Sequence, residues 1–191
     1  MVGKDPVDLL DPAQAEAFLI GVFREDPSRL RHSQVIAELV RQRARDLNEL
    51  YPSSQLNELF AFCAGLLHDI GYCEQARSSG FHPLDGYEFL CAHDAKWLAQ
   101  RIVAHSSSRE EAALLGFTLP PFVDDLAAKL VTYWDMQVQQ GGEIVGYEAR
   151  YQDIMRRYGE QSIVGQAHLL ARARILALVE EVDRLLKKVP E

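Results

Sequence analysis

The stretch Leu66-Leu67-His68-Asp69-Ile70-Gly71 sets a histidine and an aspartate side by side at the end of an apolar run. Neighbouring residues of an α-helix point about 100° apart, so both side chains reach one metal ion only where the helix ends. Gly71 supplies that end, since glycine readily terminates a helix. Other histidines pass the same geometric test. His32 precedes Val35 and Ile36 by three and four residues, which places it on the apolar stripe of its helix. His105 follows Leu98 and Ile102 at seven and three residues, again on the inward face. His82 stands at the head of a helix in Phe81-His82-Pro83-Leu84-Asp85-Gly86. Asp135 follows Asp124, Ala128 and Val131 at eleven, seven and four residues, on an apolar helix closed by Tyr133 and Trp134. A carboxylate buried without a partner is strongly disfavoured, so an inward Asp calls for a cation. The set His32, His68, Asp69, His82, His105 and Asp135 therefore points to a shared metal centre. Four His and two Asp suit one or two divalent transition ions, such as Fe, Mn, Co, Ni or Zn, better than calcium. His93-Asp94 has no apolar helix leading into it and reads as a cap. His168, within the long C-terminal pattern, reads as structural.

The elements that must hold these residues are helices. Apolar residues recur every three or four positions in 30–47, in 55–67 and, at greatest length, in 163–186. Further helices are expected at about 12–24, 83–92, 94–104, 109–115, 122–137 and 147–158. Breaks are expected at Pro27, Pro52-Ser53-Ser54, Gly71, Ser78-Ser79-Gly80, Pro120-Pro121, Gly141-Gly142 and Gly159. No useful length alternates as a strand does. The pattern predicts one all-α domain over 1–191, a bundle of about eight or nine helices, with a C-terminal helical extension at 147–188. It contains no GxGxxG after a strand, no phosphate loop and no GxSxG elbow, so the chemistry must come from side chains on helices.

Composition narrows the partners. With 20 basic and 28 acidic residues the net charge is −8, which argues against long nucleic acid as a ligand. A small anion is compatible, because a metal supplies local positive charge. The 3 cysteines, Cys63, Cys73 and Cys91, show no CxxC spacing and fit a reducing cytoplasm. No apolar run has the length of a membrane span, and MVGKDPVDLLDP lacks the layout of a signal peptide. The expectation is a cytoplasmic protein with no membrane partner; its oligomeric state is open.

At this point the sequence resembles the HD-domain superfamily of metal-dependent phosphohydrolases, whose signature is H…HD…D on an all-α bundle. His32, His68, Asp69 and Asp135 carry that signature, in HSQVIAELV, LLHDIGY and LVTYWDM, over roughly 30–137. Dinuclear subfamilies add two histidines between HD and the last Asp, and His82 in FHPLDGYEFL and His105 in IVAHSS match those positions. The resemblance implies that Asp69 bridges two metals, with His32, His68 and Asp135 on one side and His82 and His105 on the other. It places His68 and Asp69 at the catalytic centre. The implied activity is hydrolysis of a phosphoester of a nucleotide or similar small phosphorylated metabolite. Two alternatives stand beside it: a di-iron oxygenase of the same superfamily, and a regulatory domain that binds metal or ligand without turnover. Basic residues near the signature, Arg77, Lys96, Arg101 and Arg109, are candidate substrate contacts. Three departures stand out: Tyr72 where many relatives carry Lys or His, Ser106 where many carry a second His, and Met136-Gln137-Val138-Gln139 where a Thr-rich run is expected.

Overall fold

Asp11 and Asp26 start the first two helices in the same way. Each side chain accepts a backbone N–H three residues on, from Gln14 at 2.8 Å and from Arg29 at 3.0 Å. Each is followed by proline at the first helical position, where a missing N–H costs nothing. Pro27, expected as a break, therefore opens a helix.

The structure is a computed structural model describing residues 7–187. Among them it has nine α-helices and no strand: α1 (Pro12–Val22), α2 (Pro27–Leu50), α3 (Glu58–Leu67), α4 (His82–Ala92), α5 (Lys96–Ile102), α6 (Ser108–Leu115), α7 (Leu126–Asp135), α8 (Tyr147–Tyr158) and α9 (Ile163–Leu186). The fold class is all-α, as expected. A 3₁₀ turn, Ile70–Tyr72, follows α3, and one isolated bridge joins Val138 to Ile144. Residues 1–6, within the stretch MVGKDPVDLLDP, and 188, the end of the expected extension, lie outside the described residues. No described helix is long and apolar enough to cross a membrane.

The centre of the bundle is α3. Ala61 through Leu67 are all buried, so this helix is covered on every side, by α1, α2, α5 and α7. Its closest neighbour is α2. A side chain on Gly65 would meet the Ala37 backbone at 2.8 Å, so glycine is what lets the two axes approach. α9 lies against α6, α7 and α8.

Two expected helices are shorter than their apolar pattern. α5 ends at Ile102, and residues 103–107 turn before α6 begins. α7 begins only at Leu126, after Pro120-Pro121, where Asp125 caps it by accepting from Ala128 N at 3.1 Å. Both truncations serve the interior: the turn after α5 carries His105, and the last residue of α7 is Asp135.

Candidate metal centre

α3 ends at Leu67, leaving His68 as its cap residue and Asp69 at φ −100°, ψ 11°, outside helical geometry. The opening of the backbone turns Asp69 to the cavity wall, with His68 buried behind it and its Nε2 3.6 Å from Asp69 Oδ1. The 3₁₀ turn then brings Gly71 against the start of α4. A Cβ on Gly71 would stand 1.9 Å from the His82 carbonyl oxygen and 2.6 Å from Gly86 N. No side chain fits there, so this glycine fixes where α4 begins and where His82 sits. Replacing Gly71 with Ala is expected to cost at least about 2 kcal/mol, since backbone must move on both sides. Chemical denaturation of the variant checks this; an unchanged midpoint would show that the contact is relaxed easily.

The six candidate ligands converge. His32 Nε2 lies 3.1 Å from Asp135 Oδ1, and His68 Nε2 lies 3.8 Å from the same oxygen and 3.6 Å from Asp69 Oδ1. Asp69 Oδ1 is also 3.6 Å from His82 Nε2 and 3.8 Å from His105 Nε2, and those two nitrogens are 3.5 Å apart. His32, His68 and His105 are buried, with Asp69 and Asp135 close to fully so.

Backbone carbonyls settle which nitrogen faces inward. Nδ1 of His68 donates to Gly65 O at 2.8 Å, Nδ1 of His105 to Ile102 O at 2.5 Å, and Nδ1 of His32 to Gln139 O at 3.0 Å. An imidazole committed at Nδ1 in this way presents the Nε2 lone pair, the orientation that outer hydrogen bonds give to metal-ligating histidines. His68 Nε2 is buried and has no hydrogen-bond partner. Acceptors thus face acceptors, and such a cluster needs positive charge at its middle. This donor set fits a divalent metal: His32, His68 and Asp135 form one group able to hold an ion, and His68, Asp69 and His105 another.

The metal-free electrostatics say the same. Burial pushes the His68 imidazole toward the neutral form, but Asp69 and Asp135 outweigh it and lift its pKa to about 9. Burial also works against ionised Asp69 and Asp135. His68 and Arg29 hold Asp69 well below the usual carboxylate range, and His32, 3.1 Å from Oδ1, and the neighbouring His68 do so for Asp135. His82 goes the other way: burial drives it down to about 3, despite the attraction of Asp69.

Residues beyond these six complete the site. Arg29, three residues before His32 on the same face of α2, donates to Asp69 Oδ2 at 2.6 Å. Asp69 therefore has one oxygen, Oδ1, turned to the histidines. The Arg29 guanidinium lies 3.6 Å over the Tyr72 ring, which stacks on His82 at 4.0 Å. Tyr72, the departure after HDIG, thus orients one candidate ligand and one cation. Ser106, the other departure, donates through Oγ to Asp135 Oδ2. It does so from a left-handed backbone, φ 49°, held by Thr132 Oγ1 on its N–H and Arg174 Nη2 on its carbonyl. His168 also reaches the cavity wall, where it pairs with Ser107 Oγ at 2.9 Å. The cavity holds about 80 Å³, and Arg150 and Arg157 line it as well.

The HD-domain model matches residues 29–185. The chain belongs to the HD-domain family. No curated protein and no solved structure matches it. The match runs past the signature to include α8 and α9, the helices that carry Arg150, Arg157 and His168. HD domains bind divalent metals and are mostly metal-dependent hydrolases, and the buried His/Asp cluster is where such a metal fits here.

The other candidates taken from the sequence of this HD-domain protein are not among the residues lining the cavity. Arg77 Nη2 donates to Tyr72 O at 3.1 Å, and Lys96 is exposed. Arg101 pairs with Asp125 and Arg109 with Asp124, each at 2.7 Å, around a separate cavity of about 280 Å³. Ser78 and Ser79, in the loop before α4, are gathered by buried Asp85.

Proposed function

We propose that this HD-domain protein is a metal-dependent phosphohydrolase acting on a nucleotide or similar small phosphorylated metabolite. The observation that carries the reading is the buried convergence of four imidazoles and two carboxylates, acceptor against acceptor, in a cavity that arginines also line. One or two divalent transition metals bound there would activate water for attack on phosphorus and neutralise phosphoryl oxygens. The chain's own residues do the rest. The Gly65, Ile102 and Gln139 carbonyls hold three imidazoles in the ligating tautomer. Ser106 and Arg29 each occupy one carboxylate oxygen, which leaves the other to point at the histidines. Arg29, Arg150 and Arg157 supply positive charge for an anionic substrate in a chain of net charge −8.

The test is release of inorganic phosphate across a panel of phosphorylated metabolites by protein loaded with Mn, Fe, Co, Ni or Zn, with chelation abolishing it. Iron-dependent O₂ uptake with phosphoesters left intact would replace this reading with oxygenase chemistry. Loaded metal with neither activity would leave a binding domain.

The number of ions is open to a direct measurement. His105 belongs to the second group of ligands, and His82 Nε2 stands beside it, 3.5 Å from His105 Nε2 and 3.6 Å from Asp69 Oδ1. His82→Ala and His105→Ala are each expected to lower the metal content from about two ions per chain toward one, with the melting temperature of the metal-free protein kept. Metal content equal to wild type in both variants would mean a mononuclear centre.

A further inference from the structure

A buried arginine outside the H…HD…D stretch stands on the cavity wall with its hydrogen-bonding capacity only partly used. Arg150, on α8, is 8% exposed. Its Nε donates to the Asp135 carbonyl oxygen at 3.3 Å. Its Nη1 is buried without a hydrogen-bond partner, with Asp153 Oδ2 at 3.6 Å, and its Nη2 is 3.9 Å from Asp135 Oδ1. Both carboxylates near it are committed elsewhere. Asp135 faces His32 through Oδ1 and accepts from Ser106 at Oδ2. Asp153 is held by Arg156 at 2.5 Å and by Arg157 at 3.0 Å. A guanidinium carries five N–H donors and stays charged, so a buried one with an idle donor is poised for an anion from outside the chain.

We propose that Arg150 is a substrate-positioning residue that holds a terminal phosphate, and that the substrate class is the phosphomonoester; this rests on the phosphohydrolase reading above. The forked guanidinium matches two oxygens of a terminal phosphate. The cavity, at about 80 Å³, admits a phosphoryl group but leaves the organic part outside. Arg157 and Tyr158 lie seven and eight residues after Arg150, on the same face of α8, and both are exposed, so this face runs from the cavity to solvent. A monoester enters such a site end-on, whereas a diester must bury an organic group on each side of phosphorus.

The experiment uses the full chain loaded with metal, p-nitrophenyl phosphate and bis(p-nitrophenyl) phosphate as esters, and inorganic phosphate as a binding probe. Wild type is expected to cleave the monoester in preference. Arg150→Gln should raise KM for it, and weaken phosphate inhibition, by about 10- to 100-fold with metal content unchanged. Added guanidinium should recover part of that loss, which a purely structural role would not allow. Preference for the diester, or unchanged phosphate affinity in Arg150→Gln, overturns the proposal. If wild type cleaves neither ester nor any member of the metabolite panel, the phosphohydrolase reading fails by itself. Calorimetric titration of phosphate into the loaded proteins then still decides Arg150: binding lost in the variant upholds it, equal binding overturns it. Should Arg150→Gln fail to load metal, Arg150→Lys keeps the charge without the fork. It is expected to bind phosphate about tenfold more weakly, and wild-type affinity there overturns the proposal.

Discussion

Asp69→Ala is expected to strip most of the metal from the protein and, with it, all measurable turnover. Asp69 Oδ1 stands within 3.6–3.8 Å of His68, His82 and His105 together, so the group His68, Asp69 and His105 loses its carboxylate and the neighbouring group that shares His68 loses that negative charge. The loss is compounded on the other side of the carboxylate. Arg29, paired to Oδ2 at 2.6 Å, would keep only Asp26 Oδ2 at 3.4 Å as an acidic partner and would place an incompletely balanced positive charge beside the metal. Breaking a buried pair by removing one member costs about 3–5 kcal/mol of folding stability, which adds to the loss of the ligand itself. Asp69→Asn keeps the shape and separates ligand loss from collapse. It should still fold, as judged by circular dichroism, and still lose metal. Elemental analysis after gel filtration checks both variants. Wild-type metal content in Asp69→Ala would show that the ions sit elsewhere.

The fold was legible because its signal is periodic: three apolar stripes at helical spacing and six further expected helices correspond to nine helices among the described residues. Where the boundaries moved, local chemistry moved them. Pro27 reads as punctuation but is a good first residue for a helix once Asp26 caps it. The turn at 103–107 is hidden in the apolar run that precedes it. The six His and Asp were legible for a related reason, since a polar residue on an apolar stripe is conspicuous. Arginine gives no such signal. Arg29, Arg150 and Arg157 sit on helices where arginine ordinarily faces water, so nothing in composition marks them as lining a cavity. Arg29 was within reach of one further step: a position three residues before His32 shares its helical face. Arg77, Lys96, Arg101 and Arg109 stand near the signature in sequence, but proximity along the chain does not set direction. Asp124 and Asp125 draw Arg109 and Arg101 to another face.

Metal affinity is expected to fall about tenfold for each pH unit below about 9, and to be flat above it, on account of one proton. The sign follows from His68. In the metal-free protein its pKa is raised to about 9, because two buried carboxylates require a positive charge between them. A metal requires the neutral Nε2 of the same ring, so below pH 9 binding must first expel that proton. The metal takes over the role the proton plays. His82 adds nothing to this slope across the neutral range, since its pKa lies near 3, and Asp69 and Asp135 stay ionised throughout. The same shift sets the stability of the metal-free form. The His68 contribution is complete below pH 6.5 and is lost as pH rises through 9, whereas the metal-loaded form, whose His68 carries no proton, is unchanged by this group over that range. Added metal should therefore raise the melting temperature far more at pH 8.5 than at pH 6. Calorimetric titration of Zn or Mn at pH 7 in two buffers of different ionisation enthalpy reads the proton directly. Close to one proton released by His68 is the expected result, and His68→Gln should abolish that release along with most of the binding. Metal binding at pH 7 with no proton release, and an affinity unchanged between pH 7 and 9, would mean that His68 is not the group that holds the charge of the empty site.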